Sequence, residues 1–288
     1  MKPRLVMIGG HRRSSLLCVR APVTEEDGPV TEDPGLGLLA GPALPDGSDS
    51  VEDSADRVGL SVGAGWHAPL MPESDIASIS SYWDAAAPSF DEEADHGLRD
   101  PLVRAAWAER LRSWMPHSPA DVLDLGCGTG SLSLLLAEQG HRPVGVDLSS
   151  LMVEQARRKL AAAGFDCTMM TGDASDPPAE AGHSFDVILV RHLLWTLPDP
   201  EGALRRWIGL LRPGGRLVLV EGRWQVPESG QTYAAGSASL PWLGGVSAER
   251  LLLALRPLAA ELRTEPLTDP DLWGRPIHDE RYAVIARP

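Results

Sequence analysis

The feature that most constrains this chain is a run of three alternating glycines, Gly126, Gly128 and Gly130, directly after the short apolar stretch Asp121–Leu125. That stretch has the pattern of a β-strand, and Ser131–Gln139 has the pattern of a helix. Because glycine has no Cβ, its backbone can take positive φ angles and approach a ligand closely. The free N–H groups at the start of the helix favour an electron-rich or negatively charged group. The sequence therefore predicts a ligand-binding turn, and its G-x-G-x-G spacing differs from the G-x-G-x-x-G of dinucleotide-binding enzymes.

Strands and helices alternate along the chain around this turn. Further apolar strands are predicted at Pro143–Val146, Cys167–Thr171, Phe185–Val190 and Arg216–Val220, and helices at Leu102–Trp114, Ser149–Ala163, Glu201–Leu211 and Ser247–Leu255. Buried strands separated by helices indicate an α/β fold with a parallel sheet covered on both faces. Two closing strands, Glu261–Pro266 and Arg281–Ala286, have little helix between them, so we expect an antiparallel pair at one sheet edge.

Acidic residues stand at the ends of the second and third strands. Asp147 ends the second strand, where a parallel α/β sheet presents its ligand crevice, and its carboxylate can accept both hydroxyl hydrogens of a ribose. Its alternative role is to cap the helix that begins near Ser149. After the third strand, Asp173 could accept the exocyclic amine of adenine, and the small Ala174 would leave room for the ring. The preceding Gly172 makes an ordinary turn an alternative for this segment.

These segments together resemble the class I S-adenosylmethionine (SAM)-dependent methyltransferase family. The resemblance covers about Tyr82 to Ala286. It is carried by five segments, which are Val122–Gly130, Gly145–Ser149, Gly172–Ala174, Phe185–Ile188 and Leu210–Gly215. It implies a Rossmann-like, doubly wound, seven-stranded sheet with an antiparallel last strand, and SAM lying across the strand ends. In that family the glycine loop passes beneath the methionine part, the acid matching Asp147 binds the ribose, and the residue matching Asp173 lies by the adenine.

The resemblance also implies a set of cofactor-binding residues in the small-molecule subgroup of this family. They are Tyr82, Asp124, Gly126, Gly128, Gly130, Asp147, Leu148, Gly172, Asp173, Ala174 and Arg191. Tyr82 is included because segments like Tyr82-Trp83-Asp84 precede the core in such enzymes and close over the cofactor. For Arg191 two other roles stay open, namely binding of an acidic acceptor and a salt bridge at the surface.

Methyl transfer from a sulfonium requires the acceptor atom, the methyl carbon and the sulfur in line in a desolvated pocket. A base is needed only if the acceptor carries a proton that must leave. His192, directly after the fourth strand, is the first candidate catalytic base, and His96 is the second; either could instead be a packed, hydrogen-bonded histidine. Enzymes of this fold that methylate amino groups of nucleic acids or of glutamine carry an Asn/Asp-Pro-Pro-Tyr/Phe segment after the fourth strand. In this chain that place is occupied by Arg191–Leu197. The absence of the segment argues against methylation of a nucleic-acid base.

The chain divides into three predicted parts. Residues 1–75 are rich in Pro, Gly, Asp, Glu and Ser without a period, so we expect a disordered tail. Residues 76–118 are expected to form an N-terminal helical cover, and residues 119–288 the SAM-binding core. Residues 222–246 form a long connection that we interpret as a substrate loop.

Tryptophans and a tyrosine are prominent in these parts. The substrate loop contains Trp224, Tyr233 and Trp242. These side chains either line the acceptor pocket or pack against the rest of the protein without contacting the acceptor. Three others recur at helical spacing and are expected in the core; they are Trp107, Trp114 and Trp207.

Charge and cysteine content limit the partners and the compartment. The net charge of −14 makes a phosphate backbone an unfavourable partner, so we expect no nucleic-acid substrate. The three cysteines have no metal-ligand spacing, no metal site is predicted, and a reducing cytoplasm fits best. The apolar run at Leu5–Ile8 is too short for a signal peptide or a membrane span, so a soluble cytoplasmic protein without a membrane partner is expected. The oligomeric state is left open.

The sequence therefore predicts transfer of a methyl group from SAM to a small-molecule acceptor, with a secondary metabolite as one class of acceptor. Three alternatives stay open: a protein methyltransferase, a SAM-binding protein that does not methylate, and a nicotinamide-dependent oxidoreductase. The last would need the longer glycine spacing.

Overall fold

The computed structural model of the protein describes residues 19–20, 73–116, 119–224, 234 and 236–288. The helices are α1 Glu73–Ala86, α2 Ala94–Gly97, α3 Pro101–Trp114, α4 Ser131–Glu138, α5 Ser150–Ala162, α6 Pro200–Gly209 and α7 Ala248–Leu255. The strands are β1 Val19–Arg20, β2 Asp121–Leu125, β3 Arg142–Asp147, β4 Phe165–Asp166, β5 Met169–Thr171, β6 Phe185–Arg191, β7 Leu211–Arg223, β8 Glu261–Pro266 and β9 Glu280–Arg287. Within the described part of the chain, every helix is too short or too polar to cross a bilayer.

Seven strands form one sheet in the order β5-β3-β2-β6-β7-β9-β8. The first five are parallel neighbours, whereas β9 is antiparallel to both β7 and β8. This confirms the predicted doubly wound sheet with an antiparallel last strand. The chain runs from β2 toward one edge and then returns to add β6 on the other side of β2. The crevice at this switch of direction, outside the carboxyl ends of the strands, is where ligands bind in open α/β sheets.

Apolar clusters cover both faces of the sheet, as expected for parallel strands buried on both sides. In β2, Leu123 and Leu125 belong to the cluster on one face and Val122 to the cluster on the other. The three tryptophans expected in the core are fully buried, which confirms that prediction. Each indole N–H is satisfied: Trp107 donates to Leu272 O at 2.6 Å, Trp114 to Glu265 Oε2 at 2.8 Å and Trp207 to Ala174 O at 2.8 Å.

Several element boundaries differ from the predicted ones. The fifth core strand, β7, begins at Leu211 instead of Arg216, because the Pro213–Gly215 segment continues beside β6 with an irregular register. The third predicted strand, Cys167–Thr171, is shortened to β5 at Met169–Thr171, and the short β4 lies just before its predicted start. Part of the predicted tail is ordered, since β1 pairs with β4 and α1 begins at Glu73. The rest of residues 1–75 lies outside the described residues.

The cysteines also differ from expectation. Cys127 is free and buried, whereas Cys167 takes part in a disulfide bond.

We expect Gly130→Ala to destabilise the protein more than Gly140→Ala. Both glycines have positive φ, 77° and 84°, and alanine in this region costs roughly 1–2 kcal/mol. A Cβ on Gly130 would also lie 2.8 Å from the Cβ of Ala156 on α5, whereas a Cβ on Gly140 has nothing within 4 Å. Overpacking should add about 1–3 kcal/mol to the loss for Gly130→Ala. Urea denaturation of both variants measures the difference, and equal losses would contradict this packing argument.

Candidate active site

A cavity of about 380 Å³, which is partly open to solvent, lies outside the carboxyl ends of the parallel strands. It is lined by the cover, the end of β2 with the glycine loop, the ends of β3 and β5, and the turn after β6, and Trp224 and Arg281 also form part of its wall. We call it the closed cavity, because a neighbouring hollow is more open. Most of the predicted site residues line it, although they come from segments that are far apart in sequence.

The glycine loop has the backbone geometry that its sequence predicts. Gly126, Gly128 and Gly130 all have positive φ, at 68°, 53° and 77°. The loop is fixed to β3, because Gly126 N and Cys127 N both donate to Val146 O, at 2.8 and 3.1 Å. Gly126 and Gly128 line the closed cavity, whereas Gly130 is the N-cap residue of α4 and contacts α5 instead.

Asp147 connects the glycine loop to the start of α5. Its Oδ2 accepts a hydrogen bond from Gly128 N at 2.8 Å, and its Oδ1 accepts one from Ser149 N at 2.9 Å. The N-cap of α5 is Ser149, whose Oγ accepts from Met152 N, so the capping role considered for Asp147 is wrong. Burial raises the pKa of Asp147, although its two backbone hydrogen bonds oppose the rise. Each carboxylate oxygen keeps a lone pair for a ligand.

Asp124 and Arg191 place opposite charges on the wall of the closed cavity. Asp124 is buried and accepts a hydrogen bond from Ser133 Oγ at 2.6 Å, and burial raises its pKa to about 6. Arg191 donates to Asp95 O at 2.7 Å and lies over the ring of Trp107, 5.0 Å from its centroid. Among the described residues no carboxylate forms an ion pair with Arg191, so the surface salt bridge considered for it is not observed. The pair could bind a ligand that carries both charges.

The residues after β3 and β5 line another side of the cavity. Leu148, Asp173 and Ala174 are all among its lining residues. The side chain of Asp173 is exposed, and its Oδ1 accepts from Ser175 N at 2.8 Å. Gly172 does not line the cavity; its lack of a side chain is required because a Cβ would lie 2.5 Å from Pro178 Cγ.

One helix face of the cover lines the cavity. Ile76, Ile79 and Trp83 of α1 are lining residues, at spacings of three and four. Tyr82, which was predicted to bind the cofactor, is 41% exposed and does not line the cavity. Successive residues of a helix point about 100° apart, so Tyr82 and its neighbour Trp83 cannot both face inward. The helical spacing from Ile76 identifies Trp83 as the inward residue.

Two carboxylates hold the cover on the core. Asp84 Oδ1 accepts hydrogen bonds from Ser149 Oγ at 2.5 Å and Leu151 N at 3.1 Å, at the start of α5. Asp91 accepts a hydrogen bond from Thr129 Oγ1 at 2.5 Å and forms an ion pair with Lys159 Nζ at 2.8 Å. The cover is therefore fixed to both the glycine loop and α5. These pairs join distant segments, so no local pattern in the sequence indicates them.

His192 lies in the cavity wall in a constrained position. It has a positive φ of 54°. Its ring stacks on Trp273 with centroids 5.7 Å apart and meets Trp224 edge-on at 5.1 Å. Arg281 Nη1 is 3.3 Å from its Nε2, and since a guanidinium only donates, we infer that Nε2 is the accepting nitrogen. Burial, together with Arg191 and Arg281, holds the pKa of His192 well below its usual range.

His96 lines the same cavity from the cover. Its ring stacks on Phe90 with centroids 4.3 Å apart, and its Nε2 is 3.8 Å from Asp95 Oδ2. Burial and Arg191 lower the pKa of His96, whereas Asp95 and Glu93 oppose this. The structure thus brings both predicted histidines to one cavity, and only His96 has a carboxylate beside it.

The substrate loop contributes to the site only in part. Trp224 lines the closed cavity, whereas Trp242 is buried and lines a neighbouring hollow. Tyr233 lies outside the described residues.

Glu221 is a buried residue of the site that the sequence analysis missed. It is 0% exposed, and its Oε1 accepts hydrogen bonds from Leu193 N and Leu194 N at 3.1 and 3.0 Å. These bonds hold the turn that contains His192. Burial raises the pKa of Glu221 to about 8. An acidic residue directly after the apolar Val218–Val220 is the signal that could have identified it.

Cys127 lies inside the glycine loop with its side chain 8% exposed. Cys127 also lines the closed cavity. Burial raises the pKa of its thiol, and the nearby carboxylates of Asp147 and Asp124 raise it further. The loop therefore holds a neutral thiol.

We expect Glu221→Gln to remove a pH-dependent loss of stability. The folded-state pKa is about 8 and the ordinary value is 4.5. The stabilisation associated with the protonated carboxyl is therefore present below pH 4.5 and lost as the pH rises through about 8. Glutamine stays neutral, so the Tm of the variant relative to the wild type should rise by a few degrees across this interval. Thermal denaturation at pH 5 to 9 measures it, with exposed Glu249→Gln as the control; a constant difference in Tm would contradict the assignment.

Comparison with known proteins identifies the domain. Residues 123–219 match the family model described as a methyltransferase domain. The ubiquinone biosynthesis O-methyltransferase of Xanthomonas axonopodis pv. citri (strain 306) is 32% identical over 143 residues, which are 50% of this chain and 56% of that enzyme. The chain thus matches little more than half the length of this relative.

Two solved structures share the fold. The cyclase SpnF is 20% identical with a TM-score of 0.56, over 74% of this chain and 97% of that one. Magnesium protoporphyrin IX methyltransferase from Synechocystis PCC 6803, with bound SAM, is 19% identical with a TM-score of 0.51, over 77% of this chain and 100% of that one. Residues 123–219 therefore form a methyltransferase domain, and the strand order of its sheet is the Rossmann-like one that these two structures share.

Proposed function

We propose that this protein transfers the methyl group of SAM to a small-molecule acceptor bound in the closed cavity. The observation that carries the proposal is the pairing of Asp147 with the glycine loop. Its two oxygens each accept one backbone hydrogen bond and keep a lone pair, beside a loop whose glycines have positive φ. This arrangement suits the two hydroxyls of a ribose.

The residues around Asp147 fit the remaining parts of the cofactor. Ala174 and Leu148 offer apolar contacts for the adenine, and Asp173 offers an acceptor for its amine. Asp124 would accept hydrogen bonds from the amino group of the methionine part, and Arg191 would bind its carboxylate. When bound, the cofactor supplies an electrophilic methyl group on a positively charged sulfur.

The acceptor side of the cavity is aromatic. Trp83 and Trp195 meet edge-on with ring centroids 6.3 Å apart, and Trp195 and Trp224 meet in the same way at 5.9 Å. Such rings exclude water and bind a small organic molecule better than a protein chain. They therefore favour a small-molecule acceptor over a protein acceptor. The name of the Xanthomonas relative supports an oxygen as the acceptor atom.

A hydroxyl acceptor carries a proton that a base must take. We assign this role to His96, because Asp95 stabilises its charged form. His192 is the weaker base, since burial and the two arginines Arg191 and Arg281 hold its pKa well below the usual range. We assign His192 a positioning role instead, as a neutral ring that supports the acceptor.

We expect Asp147→Ala to weaken binding of S-adenosylhomocysteine by at least about tenfold. A hydrogen bond to a charged group contributes roughly 1.5–3 kcal/mol, and up to two are lost. Calorimetry measures the dissociation constant, with exposed Asp271→Ala as the control. Tight binding of NAD in place of S-adenosylhomocysteine would overturn the proposal, as would an unchanged dissociation constant in Asp147→Ala.

Methyl-labelled SAM tests the reaction itself. The full chain is incubated with labelled SAM and a panel of small hydroxyl-bearing aromatic and carboxylic compounds. Label in a small product supports the proposal, label on protein substrates favours a protein methyltransferase, and binding of SAM without any transfer favours a protein that does not methylate.

With an acceptor identified by the labelling experiment, substitutions of the two histidines should have different effects on kcat and KM. General-base catalysis contributes roughly 10²–10⁴ in rate. We therefore expect His96→Gln to lower kcat about 100-fold or more with the dissociation constant of S-adenosylhomocysteine unchanged, and His192→Gln mainly to raise KM for the acceptor. A larger loss of kcat in His192→Gln than in His96→Gln would reverse the assignment.

A further inference from the structure

A second hollow, of about 1220 Å³, lies beside the closed cavity and shares Trp224 and Arg281 with it. Its walls are residues 241–247 and 275–281, together with Arg223 and Arg250. We call it the arginine hollow. The proposed function leaves it unused, and it opens more widely to solvent than the closed cavity.

Several arginines without an ion-pair partner line the arginine hollow, although the protein as a whole is acidic. Arg223, Arg250 and Arg275 line it and are exposed. In the described part of the chain, none of these three guanidinium groups has a carboxylate within 4 Å. The fourth arginine, Arg281, is paired with Asp279 at 2.8 Å. Asp279 and Glu280 are the carboxylates among the lining residues, so the four arginines leave a local excess of positive charge in a concave surface of a chain whose net charge is −14.

The walls of the hollow are rigid where the arginines attach. Arg223 forms a β-bridge with Gly245, and Trp224 N donates to Gly244 O at 3.0 Å. Gly245 has a φ of 92°, and any Cβ there would overlap Gly222 O, so the close approach of the two segments requires glycine. Arg250 is oriented by the buried ring of Trp242, whose centroid is 5.6 Å from its guanidinium carbon. Guanidinium groups on a fixed wall are prepared to bind an oxyanion.

The partition between the two spaces is thin. Arg281 lies between the rings of Trp224 and Trp273, 4.9 Å from each centroid, and its Nη1 contacts His192 Nε2 at 3.3 Å. A molecule whose one end lies beside His192 therefore needs to pass only Trp224 and Arg281 to reach the unpaired arginines.

We propose that the arginine hollow binds an anionic group of the methyl acceptor, a carboxylate or a phosphate, while the atom that receives the methyl group lies in the closed cavity. This inference rests on the proposed function for the identity of the ligand, but binding of the anion can be measured without it. The acceptor is thus a small molecule with an acidic or phosphorylated end.

The test measures binding of two probes, inorganic pyrophosphate and benzoate, to the full chain by calorimetry at low salt. The double variant Arg250→Gln/Arg275→Gln removes two of the unpaired charges. Arg256→Gln is the matched control, because Arg256 is exposed, close in sequence to Arg250 and outside the hollow. S-adenosylhomocysteine is titrated into each protein as well, with and without the probe at saturation.

We expect saturable binding of at least one probe, weakened tenfold or more in the double variant and within twofold of wild type in Arg256→Gln. The probe that binds more tightly distinguishes a phosphate from a carboxylate. The dissociation constant of S-adenosylhomocysteine should stay within twofold in all variants and in the presence of the probe.

Three results would overturn the inference: no saturable binding of either probe, equal binding by the double variant and the wild type, or competition between probe and S-adenosylhomocysteine. The last would place the anion in the closed cavity instead. Failure of the proposed function has a different signature, namely the absence of S-adenosylhomocysteine binding in the wild type, whatever the anions do.

Discussion

The carboxylate of Asp147 joins the ends of two neighbouring parallel strands. It accepts a hydrogen bond from the glycine loop after β2 and another from the start of α5 after β3. The loop can present Gly128 N to this carboxylate only because its glycines have positive φ. The cover, in turn, is fixed to these same two segments through Asp84 and Asp91. The shape of the closed cavity on three sides therefore depends on one buried acid and a backbone that only glycine adopts easily.

Charge is distributed unevenly around the two neighbouring spaces. The closed cavity is lined by both carboxylates and arginines, and burial shifts Asp124 and His192 toward their neutral forms. In the arginine hollow, Arg223, Arg250 and Arg275 stay exposed, and the arginines outnumber the lining carboxylates of Asp279 and Glu280. Arg281 belongs to both spaces and is neutralised by Asp279. This separation suits a reaction in which a charged donor is held in a desolvated space while the charge of its partner stays near water.

The parts of this architecture that the sequence predicts are those with a local or periodic cause. The glycine spacing, the apolar strands and the strand-end Asp147 follow from residues that are neighbours in the chain. Tyr82 lies outside the lining of the cavity, because the helical spacing from Ile76 turns its neighbour Trp83 inward. Glu221 and Arg281 act through turns and rings brought together by strand pairing between β7 and β9, and such contacts have no signature in either segment alone.

The protonation state of the Cys127 thiol decides whether a bound methyl donor could alkylate the glycine loop. A methyl donor held in the glycine loop would lie close to this sulfur, which is the most nucleophilic type of side chain when it loses its proton. The acids on either side, together with burial, keep that proton in place. A protonated thiol attacks electrophiles poorly, so the carboxylates that would hold the proposed donor would also protect the glycine loop from alkylation.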